Sequence, residues 1–416
     1  MDRNASGSTV FSGRRAAVWT EPYRLLFLFG MLMGLHGIGH WMAYGLGWKE
    51  SYPVGVHAVI QTRLFMGAYI AGFLMTAVPR FSATGPSTRS EVLSVLGLLT
   101  GLYTALELGA WKWVAVIEIA WVLTLARFIV KRLGSRSSGA PRPPVEFVWL
   151  PVAFASALAG SLIQLIGLER PMDAFWTVLA KLLWEKGFLL SVVLGVGGFL
   201  GPRLMGSQRQ PDPQEMRRSG PPGGASVLAQ IAGGVSLFAG LALEAAGHAQ
   251  VAAGVLALTA AALMLRSRSL VAAPPVRSAF TWSMAVSFWA VLAGLVLPAL
   301  LPVVRSVVVH VLFLGGFSLM TLTVSAMVVM SHGGRGDRIH GSGWFFGTML
   351  TAHLTALACR LYAAADPERY FLWVAASAAF WLVAACVWIG SAARLVFRLP
   401  RAGDGHGHHE RGAAAC

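Results

Sequence analysis

The sequence has few charged residues. Asp, Glu, Lys and Arg make up 12% of its 416 residues, whereas hydrophobic residues make up 56%. Soluble globular proteins carry about 25% charged residues. So little charge excludes an ordinary water-exposed surface over most of the chain, and it indicates a protein that is solvated mainly by lipid.

Cysteine is also scarce. Cys359, Cys386 and Cys416 are the three cysteines of the chain, and no two of them are closely spaced. This excludes a disulfide scaffold and a Cys-x-x-Cys metal or redox motif. The Cys-x-x-Cys-His motif of covalently attached haem is absent as well, so any haem in this protein would be bound non-covalently.

Long apolar segments fill most of the chain. Twelve of them approach the length of about 20 residues that a helix needs to cross a bilayer. They predict an all-α polytopic membrane protein that forms a single integral membrane domain over residues 1–416. The predicted helices are 24–47, 54–79, 91–110, 112–131, 146–167, 174–200, 226–246, 249–265, 279–301, 306–330, 343–363 and 370–397.

The basic residues predict the orientation. Of the 33 Lys and Arg residues, 23 lie in or beside alternate loops and the termini, 5 lie in the opposite loops and 5 lie within the predicted helices. This is the positive-inside pattern. It predicts a multi-pass protein of the bacterial inner membrane, with residues 1–22 as a cytoplasmic N-terminal segment and 398–416 as a disordered cytoplasmic tail. The net charge of +15 then reflects topology, and we expect no nucleic-acid partner.

Helices two, six and ten resemble one another. Their final stretches, Gly67–Arg80, Val193–Arg203 and Ser325–Arg335, are rich in small residues and close with arginine. The spacing of about 125–130 residues corresponds to four helices, which favours three quasi-repeats of four. The positive-inside rule alone would also place an arginine at each of these ends.

Histidines are the main candidate ligands. His36, His40, His57, His310 and His353 lie inside or at the edge of apolar segments, four of them toward the predicted outer side and His353 about midway. Neutral imidazole is the commonest protein ligand of haem iron and copper, and polar groups at membrane depth are functional candidates. The alternative is that each one is a hydrogen-bonded interior histidine.

Spacing restricts the possible sites. No helix carries the paired histidines of cytochrome-b-like bundles, and the copper-binding histidine pair of haem–copper oxidases is absent from the spans. A metal site must therefore combine different helices, for example through His57 and His310. His310 and His332 would be about 33 Å apart along one helix, so they cannot share a metal.

Ionisable residues within the spans form a second group. Arg63 lies on helix two, whereas Lys181 and Glu185 lie on helix six. Glu185 is expected to pair with Arg63 or Lys181, or to relay protons. A haem propionate is another possible partner for Arg63. A structural ion pair that fixes the bundle is the alternative.

Four stretches together resemble the NnrS family. They are EPYRLLFLFGMLMG (Glu21–Gly34), His57-Ala58 followed by GAYIAGFLMTAVPRF, KGFLLSVVLGVGGFLGPRLMG (Lys186–Gly206), and His310 followed by GGFSLMTLTVSAMVVMSHGGR. The resemblance extends over all twelve predicted helices. It implies a twelve-span inner-membrane protein of a family reported to hold haem and copper, associated with nitric oxide, nitrosative stress and denitrification.

The resemblance also implies site residues. His57, His310 and His332 match the motif histidines of the family and are the predicted metal ligands. Many members read His-Ala-His-Glu at the start of helix two, whereas this chain reads His57-Ala58-Val59-Ile60. The missing second histidine puts a copper site of the family's kind in doubt, and His36 and His40 could replace it.

Several functions remain open at this point. The resemblance implies a non-covalent, b-type haem, with copper possible, in a protein that binds, senses or detoxifies nitric oxide; its redox partner and any enzymatic activity stay undefined. One alternative is a twelve-helix secondary transporter. Another is a factor that delivers metal or haem, which the tail histidines His406, His408 and His409 weakly favour.

Overall fold

The computed structural model describes residues 18–50, 54–136, 143–208 and 224–398. These residues form twelve long helices and no strand, which confirms the predicted all-α polytopic membrane protein. The helices are α1 (Tyr23–Gly45), α2 (Gly55–Phe81), α3 (Arg89–Glu107), α4 (Trp111–Gly134), α5 (Val145–Glu169), α6 (Ala174–Leu204), α7 (Gly224–Ala245), α8 (Ala249–Arg266), α9 (Ala279–Leu300), α10 (Pro302–His332), α11 (Gly343–Tyr362) and α12 (Pro367–Val396).

Ten of these helices are long and apolar enough to cross a membrane. The other two, α3 and α11, stand where the sequence predicts spans three and eleven. α3 carries Arg89 and Glu91 at its start and Glu107 at its end, and α11 contains His353 and Arg360. These polar residues lower the mean hydropathy of the two helices. Most of the predicted tail, residues 399–416, lies outside the described residues.

Polar residues at the helix ends explain several boundaries. Thr88 and Glu91 form a capping box at the start of α3, and Ser278 and Thr281 form another at the start of α9. Each box satisfies backbone N–H groups that a helix start leaves unpaired. The short turn predicted between α7 and α8 is present, and Gly247 adopts a φ of +88° there. That conformation favours glycine because it has no Cβ.

Three helices form the interior of the bundle. Within an 18-residue apolar stretch of each spanning helix, 78% of the residues are buried in α2, 78% in α6 and 67% in α10. The corresponding share is 28–56% in the other seven spanning helices. We call α2, α6 and α10 the inner helices. They are every fourth helix of the chain, which agrees with the predicted arrangement of three groups of four.

Each inner helix contains π-helical turns. They are Ile60–Phe65 in α2, Leu183–Phe188 and Val193–Gly197 in α6, and Val311–Ser318 in α10. Such turns are rare and often mark functional sites. Within the described residues, they occur in these three helices only. Ile60–Phe65 and Leu183–Phe188 both begin 20 residues before the arginine that closes the helix, which further supports the relation between α2 and α6.

Close packing joins the inner helices to their neighbours. A Cβ added at Gly37 of α1 would lie 2.6 Å from Gln61 Nε2 of α2, and one at Gly294 of α9 would lie 2.3 Å from the backbone nitrogen of Leu312 in α10. Only glycine permits these approaches. The glycine-rich segment around His36 and His40 therefore serves close contact between α1 and α2.

Candidate functional site

We call the side where α1 ends and α2 begins the outer side, following the charge pattern. A polar cluster of α1 and α3 lies there. His40 Nε2 is 3.0 Å from His36 Nε2, which in turn is 3.1 Å from Glu107 Oε1 and 3.4 Å from the hydroxyl of Tyr103. Lys49 Nζ donates a hydrogen bond of 2.7 Å to His40 Nδ1. The sequence predicted both histidines but not Glu107.

This cluster has the donor atoms of a metal site. One ligand atom each from His36, His40 and Glu107 lie within 4.8 Å of one another, and no other such group of three occurs in the described part of the chain. The side chains of His36 and Glu107 are about one-third exposed, so the site is open to solutes. A metal on His40 Nε2 would require a proton on Nδ1, and Lys49 would then have to turn away.

His57 and His310 form a second, more enclosed pair on two inner helices. His57 Nδ1 donates to the carbonyl of Gly37 (3.0 Å), and His310 Nδ1 donates to that of Val307 (3.2 Å). A carbonyl cannot donate, so the proton lies on Nδ1 and the Nε2 lone pair is available to a metal. The two histidines lie within electrostatic range of each other and of the Arg360 guanidinium.

Two backbone carbonyls of α1, those of Gly37 and Gly34, bind side chains of α2 at and just after His57. Gln61, four residues after His57, donates from Nε2 to the carbonyl of Gly34 (3.2 Å). The two bonds lie about one turn apart on both helices, and the ring of Trp41 lies against His57 with centroids 5.8 Å apart. The orientation of this imidazole is therefore fixed by α1 rather than by a carboxylate.

Arg360 of α11 is a residue to which sequence reasoning assigned no role. Its Nη2 donates to the carbonyl of Ser306 (3.3 Å), and its guanidinium lies over the ring of Tyr370. Its Nη1 is buried without a hydrogen-bond partner within the described structure. This unpaired donor near two available imidazoles is free to bind an anionic partner. The signal in the sequence was a lone arginine close to the outer end of a predicted helix.

His353 occupies a different environment, deeper in the bundle. Its Nδ1 donates to the carbonyl of Met349 (2.9 Å). Trp381 Nε1 donates to Ser318 Oγ (2.8 Å), so the hydroxyl of Ser318 is free to donate to His353 Nε2 at 3.4 Å. Both ring nitrogens therefore have protein partners, which is the arrangement of a structural histidine. Its predicted role in cofactor binding stays a prediction.

His332 lies at the opposite end of α10 from His310. Its Nδ1 donates to the carbonyl of Val328 (2.8 Å), and its Nε2 accepts a hydrogen bond from Arg80. Arg80 also contacts Glu21, and the ring of Tyr23 lies 5.0 Å from the imidazole. The structure thus joins the inward ends of α2 and α10 here. It does not bring His332 together with His57 or His310.

Arg63 of α2 pairs with Glu118 of α4, and both are buried. Its Nη1 also donates to Gln164 (3.2 Å), and its guanidinium lies 5.1 Å from the ring centroid of Trp184. The hydroxyl of Ser161 donates to Glu118 Oε2 at 2.9 Å. These partners hold Arg63 in a buried network, although its Nε has no hydrogen-bond partner in the described structure. Its predicted role beside a haem propionate stays a prediction.

A second ionic group links α6, α7 and α10. Lys186 Nζ lies 2.6 and 2.8 Å from the two carboxylate oxygens of Glu244, and Arg305 Nη2 donates to the same group at 2.6 Å. The neighbouring Glu185 is paired with the exposed Lys181 at 4.0 Å. Sequence reasoning missed the partner Glu244. Arg63 and Lys186 occupy matching positions, because each precedes the closing arginine of its helix by 17 residues.

A small apolar cavity of about 100 Å³ lies among the three inner helices, on the inward side of these ionic groups. Phe73, Val193 and Met320 represent its lining on α2, α6 and α10, respectively. Few polar groups reach it, so it is suited only to small apolar molecules.

The comparisons with known proteins agree with the resemblance seen in the sequence. The model of a family described as NnrS protein matches residues 17–399 of this chain. No curated protein matches the chain.

Proposed function

The chain belongs to the NnrS family, and from this membership we propose that it is a haem-binding inner-membrane protein that binds nitric oxide and protects against nitrosative stress. The family fits a membrane protein linked to nitric oxide stress. In this proposal both termini lie in the cytoplasm, and the histidine sites lie in the half of the bilayer that faces the periplasm. Nitric oxide is small and apolar, so it reaches such a site through the lipid.

The observation that carries the haem assignment is the group of His57, His310 and Arg360. Two partly buried imidazoles have an available Nε2, and the guanidinium near them has a buried Nη1 without a partner in the described structure. This donor set fits a non-covalent haem, with the histidines as candidate axial ligands and Arg360 as the partner of a propionate. Haem iron would supply the site that binds nitric oxide; the chain supplies the orientation of the imidazoles and the exclusion of water.

The cluster of His36, His40 and Glu107 is the best candidate for copper. Two imidazoles and a carboxylate match the ligands that Cu(II) accepts. This cluster would take the place of the motif histidine that is absent after Ala58. Its exposure on the outer side also favours a second candidate function, the capture and delivery of copper.

A visible spectrum with metal analysis tests the proposal. The protein purified in detergent is expected to contain haem and to show a Soret band that shifts on addition of nitric oxide. His57→Ala and His310→Ala are each expected to reduce the haem content at least tenfold, and Arg360→Met to reduce it severalfold. His248→Ala, at the exposed start of α8, serves as the matched control and should retain the full band.

Two results would contradict the assignment. A colourless and metal-free wild-type protein would exclude the haem proposal and favour a transporter. A normal Soret band in the His57→Ala and His310→Ala variants would place the haem elsewhere in the bundle. Copper that persists when His36→Ala and His40→Ala are combined would remove the copper assignment while leaving the haem assignment intact.

A further inference from the structure

A groove of about 380 Å³ lies between the inward ends of α3 and α4, on the opposite side of the bundle from the outer histidines. Arg127 and Lys131 of α4 line one side, and the hydroxyl side chains of Ser90 and Ser94 of α3 line the other. Thr124 of α4 extends the polar lining about one turn deeper. Met75, Val95 and Phe128 complete the lining, so the groove combines cationic and hydroxyl groups with apolar surface.

The groove has an excess of positive charge. Its carboxylate, Glu91, is already bound by Arg132 Nη2 (2.8 Å) and by the backbone N–H of Thr88 (2.9 Å). Arg127 and Lys131 lie one turn apart and have no ion-pair partner among the described residues. The positive end of the α3 helix dipole, capped at Thr88, adds to their field. This positive charge favours the binding of an anion in the groove.

Apolar surface beside the groove indicates which anion. Leu93, Leu123 and Val130 lie on the same two helices with 43%, 51% and 69% of their surface exposed. In a membrane these side chains face acyl chains, so an anion in the groove would lie directly beside lipid. Guanidinium, ammonium and hydroxyl groups together are suited to a phosphate.

We propose that this groove binds the phosphate headgroup of an anionic phospholipid of the cytoplasmic leaflet. Arg127 and Lys131 provide the charge, Ser90, Ser94 and Thr124 provide hydroxyl donors, and the flanking leucines and valine contact the acyl chains. Basic sites between helices at this face are a recognised mode of lipid recognition. The bound lipid would join α3 to α4 and stabilise the first group of four helices.

Native mass spectrometry of the full chain with phosphatidylglycerol and phosphatidylcholine tests this site. Wild-type protein is expected to retain phosphatidylglycerol preferentially. Arg127→Gln combined with Lys131→Gln is expected to weaken that retention by about tenfold to thirtyfold, because each cation near a headgroup contributes about fivefold to the affinity. Ser94→Leu, which fills the groove without changing the charge, is expected to weaken it as well.

The matched control changes two other exposed cations at inward helix ends, through Arg266→Gln combined with Arg394→Gln. This variant has the same net charge as the first double variant and should retain the lipid. An equal loss in both double variants would show a diffuse charge effect and overturn the site. Displacement of the lipid by millimolar inorganic phosphate would also overturn it, because the groove would then be a site for free phosphate.

Discussion

The ionic groups of α2 and α6 have matching positions but different surroundings. Arg63 and Lys186 both lie in a π-helical turn, and each binds a buried glutamate on another helix. The first pair is sealed, because Glu118 is held by Arg63 and Ser161. The second is linked to the outer side, because Glu244 also binds Arg305, whose side chain is 46% exposed. The repeated helix geometry thus places a cation, whereas the neighbouring helices decide its access to water.

Breaking the sealed pair should have the largest effect. Glu118→Ala leaves a guanidinium that cannot lose its proton buried without a counterion, at a cost of about 3–5 kcal/mol of folding free energy. Thermal unfolding in detergent is the measurement, and we expect a marked fall in Tm or a loss of folded protein. Glu118→Leu combined with Arg63→Met removes both charges and should restore most of the stability. A variant Glu118→Ala as stable as wild type would show that the pair is not sealed.

Breaking the linked pair should have a smaller effect. Glu244→Ala leaves Lys186 unpaired, but a lysine can release its proton and Arg305 can turn into solvent. We expect a loss of about 1–3 kcal/mol, measured by the same unfolding experiment. Glu169→Ala is the control, because both it and its partner Lys112 are exposed and little should change. A loss as large as that of Glu118→Ala would remove the distinction between the two groups.

Removing a single hydroxyl group from the sealed network should have a modest effect. Ser161→Ala deletes the donor to Glu118 Oε2 and the acceptor of Trp184 Nε1. We expect a cost of about 1–2 kcal/mol, with the Soret band unchanged, since no haem contact is involved. A shifted or weakened band would instead connect this network to the cofactor.

The smallest effect is expected at the exposed end of the linked group. Arg305→Gln removes one of the two cations on Glu244, but its partly exposed ion pair contributes about 1 kcal/mol or less. The difference from wild type should shrink as the salt concentration rises, because screening weakens exposed pairs. A difference that does not depend on salt would mean that Arg305 is better shielded than its exposure indicates.

The order and depth of the helices could be predicted from the sequence. Apolar length located all twelve helices within a few residues, and the shared endings at Arg80 and Arg203 mark two of the three helices that the structure places in the interior. The outer positions of His36, His40 and His57 followed from the same reasoning. Hydropathy suffices for these features because lipid requires each segment to satisfy its own backbone.

Side-chain partners could not be predicted in the same way. The sequence offered Arg63 or Lys181 as the partner of Glu185. The structure places Glu185 beside Lys181 and pairs Arg63 with Glu118. Depth along a helix does not reveal which neighbour lies beside it, and the π-helical turns at both positions alter the face that an ordinary helical period would assign. The candidate role of Arg360 depends on the approach of α11 to α10, which no local pattern encodes.

The π-helical turn at Ile60–Phe65 divides α2 into two parts whose orientations can change separately. Inserting or deleting one residue there would rotate the preceding part of α2 by about 100° about the helix axis. The inward part that ends at Arg80 would keep its orientation. The segment that carries His57 and the contact between Arg80 and His332 can therefore change independently of each other. A change of helix length at this turn would alter which side chains lie near His57 without altering the inward half of α2.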